Sequence, residues 1–232
     1  MKIANITGYK FTPIEDELHL KETILRRSIN LNLKGTVLIS SKGLNFSVSG
    51  TKNNIDKFIV FIHSDSRFAD VDVKITYNEY QPFRKMLVRI KKEIISMGVE
   101  EINPYQFTGQ KISPKELNDK LDNNEEIVLL DTRNEYEVRL GTFKNALDLD
   151  LDSFRDFSEE IEKLRDDLNG KEIVMFCTGG IRCEKASALM LENGFQNIKQ
   201  IEGGVINYFK ETGGKHWNGD CFVFDDRVTL NK

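Results

Sequence analysis

Cysteine is scarce in this sequence: three among 232 residues, at positions 177, 183 and 221. A small odd number, behind an N-terminus (Met1-Lys2-Ile3-Ala4-Asn5-Ile6) with no extended apolar leader, excludes a disulfide framework and leads us to expect a reducing, cytoplasmic setting. Histidine is as rare, and His19, His63 and His216 do not pair with a cysteine at metal-ligand spacing. Neither a zinc site nor a 2-His-1-carboxylate iron site is expected, and no metal or cofactor is evident. The phosphate-cradling pattern G-x-x-x-x-G-K-[ST] is missing, as is any internal repeat or low-complexity segment. No apolar run approaches the ~18 residues of a membrane span, so no membrane partner is expected. Oligomeric state leaves no mark in the sequence.

Charge is present in quantity and unevenly placed. Residues 1–110 hold 16 Lys and Arg against 12 Asp and Glu, a net +4, and the remainder 17 against 25, a net −8. A mildly basic front and an acidic back suggest two units, the first able to meet an anionic partner.

The hydrophobic pattern supports that division. Residues 1–95 read in the order βαββαβ, an α+β ferredoxin-like (acylphosphatase-like) domain. Its first helix offers Leu18, Ile24, Leu25 and Ile29 for an apolar face, and its second offers Ile55, Phe58, Ile59 and Ile62. A further strand over 85–95 alternates Met86, Val88 and Ile90 with Lys85, Leu87, Arg89 and Lys91. With Arg84 and Lys92, and beside Tyr80 and Phe83, this makes a basic stripe with flanking aromatics. Such a stripe suits nucleic-acid phosphates and stacked bases; it equally suits a solvated edge strand whose lysines deter pairing.

Residues 96–112 carry Gly98, Asn103-Pro104 and Gly109 and read as a linker. Ser113-Pro114-Lys115-Glu116 then has the spacing of a helix start. From 113 to 215 helices and strands alternate, the signature of an α/β domain with a parallel sheet, and 216–232 forms a C-terminal tail. Sites in such folds lie beyond the carboxyl ends of the strands, where Asp131 and Cys177 both fall.

The stretch Cys177-Thr178-Gly179-Gly180-Ile181-Arg182-Cys183 follows an apolar strand-like run, 172–176, and precedes a helical pattern, 184–192. A cysteine after a buried strand is often only a small apolar residue. That reading leaves unexplained the Gly-Gly turn, the arginine and the helix start behind it. A helix N-terminus with roughly +0.5 charge, plus Arg182, should favour thiolate at Cys177 and present a ring of N–H donors to it. Cys177 is therefore the candidate nucleophile. Arg182 and Arg133 could each orient the loop, bind a substrate anion or pair with a carboxylate. Asp131 reads as structural, binding loop N–H groups or an arginine. Cys183 could resolve an oxidised sulfur or simply pack. Cys221 reads as buried, and Glu202-Gly203-Gly204 as a packing turn.

At Leu129-Leu130-Asp131-Thr132-Arg133, Glu135, Gly141, Ala146, the six-residue loop Cys177–Arg182 and Glu202-Gly203-Gly204, residues 112–215 resemble the rhodanese family. That resemblance implies a loop cysteine able to carry sulfur as a persulfide. A broader resemblance adds Gln81-Pro82-Phe83, Asp131 through Val138, Gly141-Thr142-Phe143, Glu184-Lys185 and the tail Trp217 through Val228. Over nearly the whole chain, these look like the bacterial rhodanese-domain tRNA uridine hydroxylases. The resemblance implies hydroxylation of the wobble uridine of tRNA to 5-hydroxyuridine, with molecular oxygen as co-substrate and Cys177 in the chemistry. It also implies tRNA as partner, with Arg84, Lys85, Arg89 and Lys91 as candidate contacts. The alternatives are a sulfurtransferase carrying a persulfide on Cys177, and a non-catalytic scaffold.

Overall fold

The computed structural model describes residues 2–231. The chain divides into two compact units, Met1–Ile95 and Ser96–Lys232.

The first unit runs β1 (Ile3–Phe11), α1 (Glu17–Asn30), β2 (Lys34–Ser40), β3 (Gly43–Thr51), α2 (Lys52–His63), β4 (Lys74–Asn78), β5 (Met86–Ile90). Its sheet has the order β4-β1-β3-β2-β5, antiparallel except for β2 and β5, which are parallel. Helix α1 packs over β2 and β5, and α2 over β1 and β3. The core between them holds Ile6, Val37, Phe46, Val48, Ile55 and Phe58. Thr51 caps α2 by accepting the Asn54 N–H.

Two expectations change here. Helix α1 buries Leu20, Ile24 and Ser28, a narrow i, i+4 stripe, while Leu18 and Ile29 face solvent. Strand β5 is five residues long and lies at the sheet edge, so Met86 and Val88 turn inward but Ile90 stays exposed. Arg84, Lys85, Arg89 and Lys91 are all exposed along it.

The second unit begins with β6 (Gln110–Ile112), then α3 (Pro114–Asp122), β7 (Ile127–Asp131), α4 (Glu135–Val138), β8 (Gly141–Phe143) and β9 (Leu147–Asp148). It continues through α5 (Phe157–Lys163), α6 (Arg165–Leu168), β10 (Glu172–Phe176), α7 (Ile181–Glu192), β11 (Ile198–Ile201) and α8 (Gly204–Thr212). It closes with β12 (Trp217–Gly219), β13 (Cys221–Phe222) and β14 (Thr229–Leu230). The main sheet, β6-β11-β10-β7-β9, is parallel throughout. Residues 173–176 of β10 are buried without exception, as a central strand covered by helices on both faces requires. Ser113 caps α3 by accepting the Glu116 N–H at 3.1 Å.

The expected linker and tail both contribute to this unit. β6, within 96–112, adds a strand beside β11, and Met97 and Ile102 are buried. The single tryptophan, Trp217, pairs through β12 with Phe143 of β8 and sits in the core. Phe143 is the hub there, edge-on to Tyr208 at 4.7 Å, Phe176 at 4.9 Å and Trp217 at 5.1 Å between ring centroids. The helical stretch before β10 is broken near Leu164 into α5 and α6.

Phe143→Ala should destabilise this unit by about 3–5 kcal/mol, because three aromatic rings pack against that one side chain. Urea unfolding followed by Trp217 fluorescence checks this; an unchanged midpoint would contradict it.

Candidate active site

Strand β10 ends at Phe176, directly opposite Asp131 at the end of β7. Cys177 follows and is 1% exposed. Gly180 takes φ +99°, a left-handed conformation that glycine adopts cheaply, and α7 starts at Ile181. The helix therefore begins ahead of the apolar pattern at 184–192, and Arg182 and Cys183 lie in its first turn. The Gly180 N–H donates to Cys177 Sγ at 3.1 Å.

The other side of the loop is held by α8. The N–H groups of Val205 and Ile206 donate to the carbonyls of Cys177 and Thr178 at 3.0 and 3.1 Å. Gly204 approaches so closely that a Cβ there would lie 2.6 Å from the Cys177 carbonyl oxygen. Glu202-Gly203-Gly204 is thus a packing turn that fixes the loop's back.

Burial alone would raise the Cys177 thiol. The hydrogen bond from Cys183, the charge of Arg182 and the N–H groups of Arg182 and Cys183 outweigh it and lower the pKa to about 5. Cys183 moves the opposite way, raised by burial and by the Cys177 thiolate it donates to; its sulfur also lies 3.6 Å from Thr132 Oγ1. Burial lifts Cys221 to about 12. All three cysteines are free and buried.

Both candidate arginines are spoken for. Arg182, 4% exposed, meets Glu137, fully buried, through both terminal guanidinium nitrogens, one at 2.8 Å. Burial opposes the Arg182 charge, but the Glu137 hydrogen bonds and charge overcome it, and the guanidinium stays protonated. Arg133 forks onto Asp131 at 2.9 and 2.6 Å and donates to the Gly141 carbonyl at 2.7 Å. Thr142 Oγ1 also donates to Asp131, at 2.8 Å. The guanidinium of Arg133 lies 4.9 Å from the Trp217 ring centre.

Glu137 carries no role in the sequence reading. Its one local signal is the Asn134-x-x-Glu137 spacing, since Glu137 also accepts the Asn134 N–H at 3.1 Å as a capping box. The tail supplies a wall: Thr178 Oγ1 donates to the Phe222 carbonyl at 3.2 Å, and Phe224 lies 5.6 Å from the Arg182 guanidinium. Arg84, Lys85, Arg89 and Lys91 belong to the other unit.

Residues 3–94 match the UPF0176 acylphosphatase like domain, and residues 113–211 the rhodanese-like domain. A Cupriavidus metallidurans protein named tRNA uridine(34) hydroxylase is 44% identical over all of this chain and 84% of its own length. One of the same name from Paraburkholderia xenovorans is 45% identical with the same coverage.

The chain belongs to the tRNA uridine(34) hydroxylase family.

The fold of this hydroxylase-family chain is that of its two domains, acylphosphatase-like and rhodanese. Among solved structures, the rhodanese-like domain of an Anabaena protein is 17% identical, with a TM-score of 0.41, covering 48% of this chain and 80% of that one. No helix among the described residues is long and apolar enough to cross a membrane.

Two measurements probe the site. Because the Cys177 pKa is lowered, its thiolate persists above about pH 5 and is lost as the pH falls through that value, whereas Cys183 and Cys221 stay protonated at neutral pH. Ultraviolet absorbance of the thiolate should show one titrating sulfur near pH 5 in the wild type and none there in Cys177→Ser. Separately, Glu137→Ala should cost about 3–5 kcal/mol, because it strands the buried Arg182 charge. Denaturant unfolding reads this, and a loss under about 1 kcal/mol would contradict it.

Proposed function

We propose that this chain hydroxylates the wobble uridine of tRNA to 5-hydroxyuridine, with molecular oxygen as co-substrate and the Cys177 thiolate as nucleophile. The carrying observation is identity of 43–45% across the full chain to proteins named for that reaction. The thiolate cradle at Cys177 supplies a group able to act.

The chemistry follows from the base. Uridine C5 is a poor nucleophile while the 5,6 double bond is conjugated to the C4 carbonyl. Addition of the Cys177 thiolate to C6 moves that electron pair towards C5 and O4. C5 can then bond to an electrophilic oxygen. Loss of the C5 proton and departure of the thiolate restore the double bond. Placing one atom of O2 on C5 leaves the other as water, so the balance takes two electrons and two protons from a reductant. The N–H of Gly180 and the first turn of α7 stabilise the sulfur anion at both ends of this sequence.

On this reading the acylphosphatase-like domain contributes tRNA affinity. Arg84, Lys85, Arg89 and Lys91 line an exposed edge and would meet backbone phosphates, and the protein would work in the cytoplasm with its substrate.

Deleting the gene and complementing with wild type or Cys177→Ala, followed by mass spectrometry of tRNA nucleosides, tests the chemistry. 5-Hydroxyuridine and its derivatives should return only with the wild type; their return with Cys177→Ala would remove the thiolate from the mechanism. Neutralising the four basic residues should weaken tRNA binding. It should also flatten the slope of log affinity against log salt by roughly 0.7–0.9 for each phosphate left unneutralised. An unchanged slope would place the tRNA-binding surface elsewhere.

A further inference from the structure

The wall beside the Cys177 loop is aromatic and partly uncovered. The Phe222 ring lies edge-on to Tyr136 at 5.3 Å and to Phe224 at 5.0 Å. Tyr136 is 46% exposed and Phe224 59% exposed. These rings adjoin the reactive loop through Thr178, bound to the Phe222 carbonyl, and through Arg182, beneath Phe224. Apolar ring surface left in water is stabilised by any partner that covers it, so two such rings here invite an occupant.

The charges along this rim narrow its nature. Arg182, beneath Phe224, is paired with buried Glu137, and Arg227, in the same tail, with Asp225. A phosphate, or an anionic sulfur donor, would have to displace a carboxylate from each. A neutral, planar group with a π-face meets no such competition and packs against the exposed rings.

We propose that Tyr136 and Phe224 form the stacking platform for the pyrimidine base presented to Cys177. This rests on the hydroxylase reading and deepens it: the wall binds the base, and phosphate binding is left to other surfaces. Both rings act on the base and not on the sulfur, as binding and positioning residues.

The test uses the full chain and two anticodon stem–loop RNAs, one with uridine at the wobble position and one abasic there, with affinities measured by fluorescence anisotropy at fixed salt. The wild type should bind the uridine RNA about 5- to 150-fold more tightly, the range that stacking one base supplies. Phe224→Ala and Tyr136→Ala should lose that preference while keeping the abasic affinity, and Phe224→Tyr should restore it. Trp217 emission, unchanged, confirms that the variants are folded. Alanine variants that keep the preference, or that lose affinity for both RNAs equally, overturn the platform. A wild type that hydroxylates tRNA yet shows no base preference overturns the platform alone. A wild type that neither binds RNA nor hydroxylates it overturns the hydroxylase reading as well.

Discussion

A full positive charge buried beside the reactive sulfur is the constraint on which this site depends. Arg182 is almost completely covered, and an unpaired guanidinium there would cost several kcal/mol. Glu137 removes that cost and is itself inaccessible, so short helix α4 must stand where it does. Asp131 and Arg133 repeat the device one strand over, and together these pairs fasten the ends of β7 and β10 into one rim. The charge that lowers the Cys177 pKa is therefore held in place by a carboxylate rather than offered to solvent. The cradle keeps its field while presenting little net charge to an incoming molecule.

Helix termini complete the arrangement from two directions. The start of α7 points N–H groups at the sulfur, and the start of α8 points N–H groups at the loop's carbonyls. Each helix needs glycine for a different reason: Gly180 supplies a left-handed residue, and Gly204 supplies the missing side chain that lets two backbones touch. The loop's shape is thus over-determined, and the Cys177 sulfur is held in one position.

Much of this was legible in the sequence because it is local. Strand 172–176, the glycine turn and the helix behind it are contiguous, and their periods and turn residues agree. The Ser113 cap was legible for the same reason. What escaped was set by long-range partners. Glu137 lies 45 residues from Arg182, and nothing near Arg182 announces it. Strand β6 is three residues, too short for alternation to register, and exists because β11 has an open edge. Leu18 and Ile29 have helical spacing with Ile24 and Leu25, but the sheet beneath α1 accepts only a narrow stripe. The aromatic wall was missed because a tail without periodicity gives no hint of where it will lie.

That tail carries a consequence for how the protein is made. Residues 217–230 supply the core tryptophan, a strand partner for β8 and the Phe222 carbonyl that anchors Thr178. A nascent chain that has already formed the sheet and the Cys177 loop still has one flank of that loop uncovered. During translation the pocket remains unfinished until residues 217–230 leave the ribosome, so the Cys177 thiolate acquires that flank after the sheet and the loop have formed.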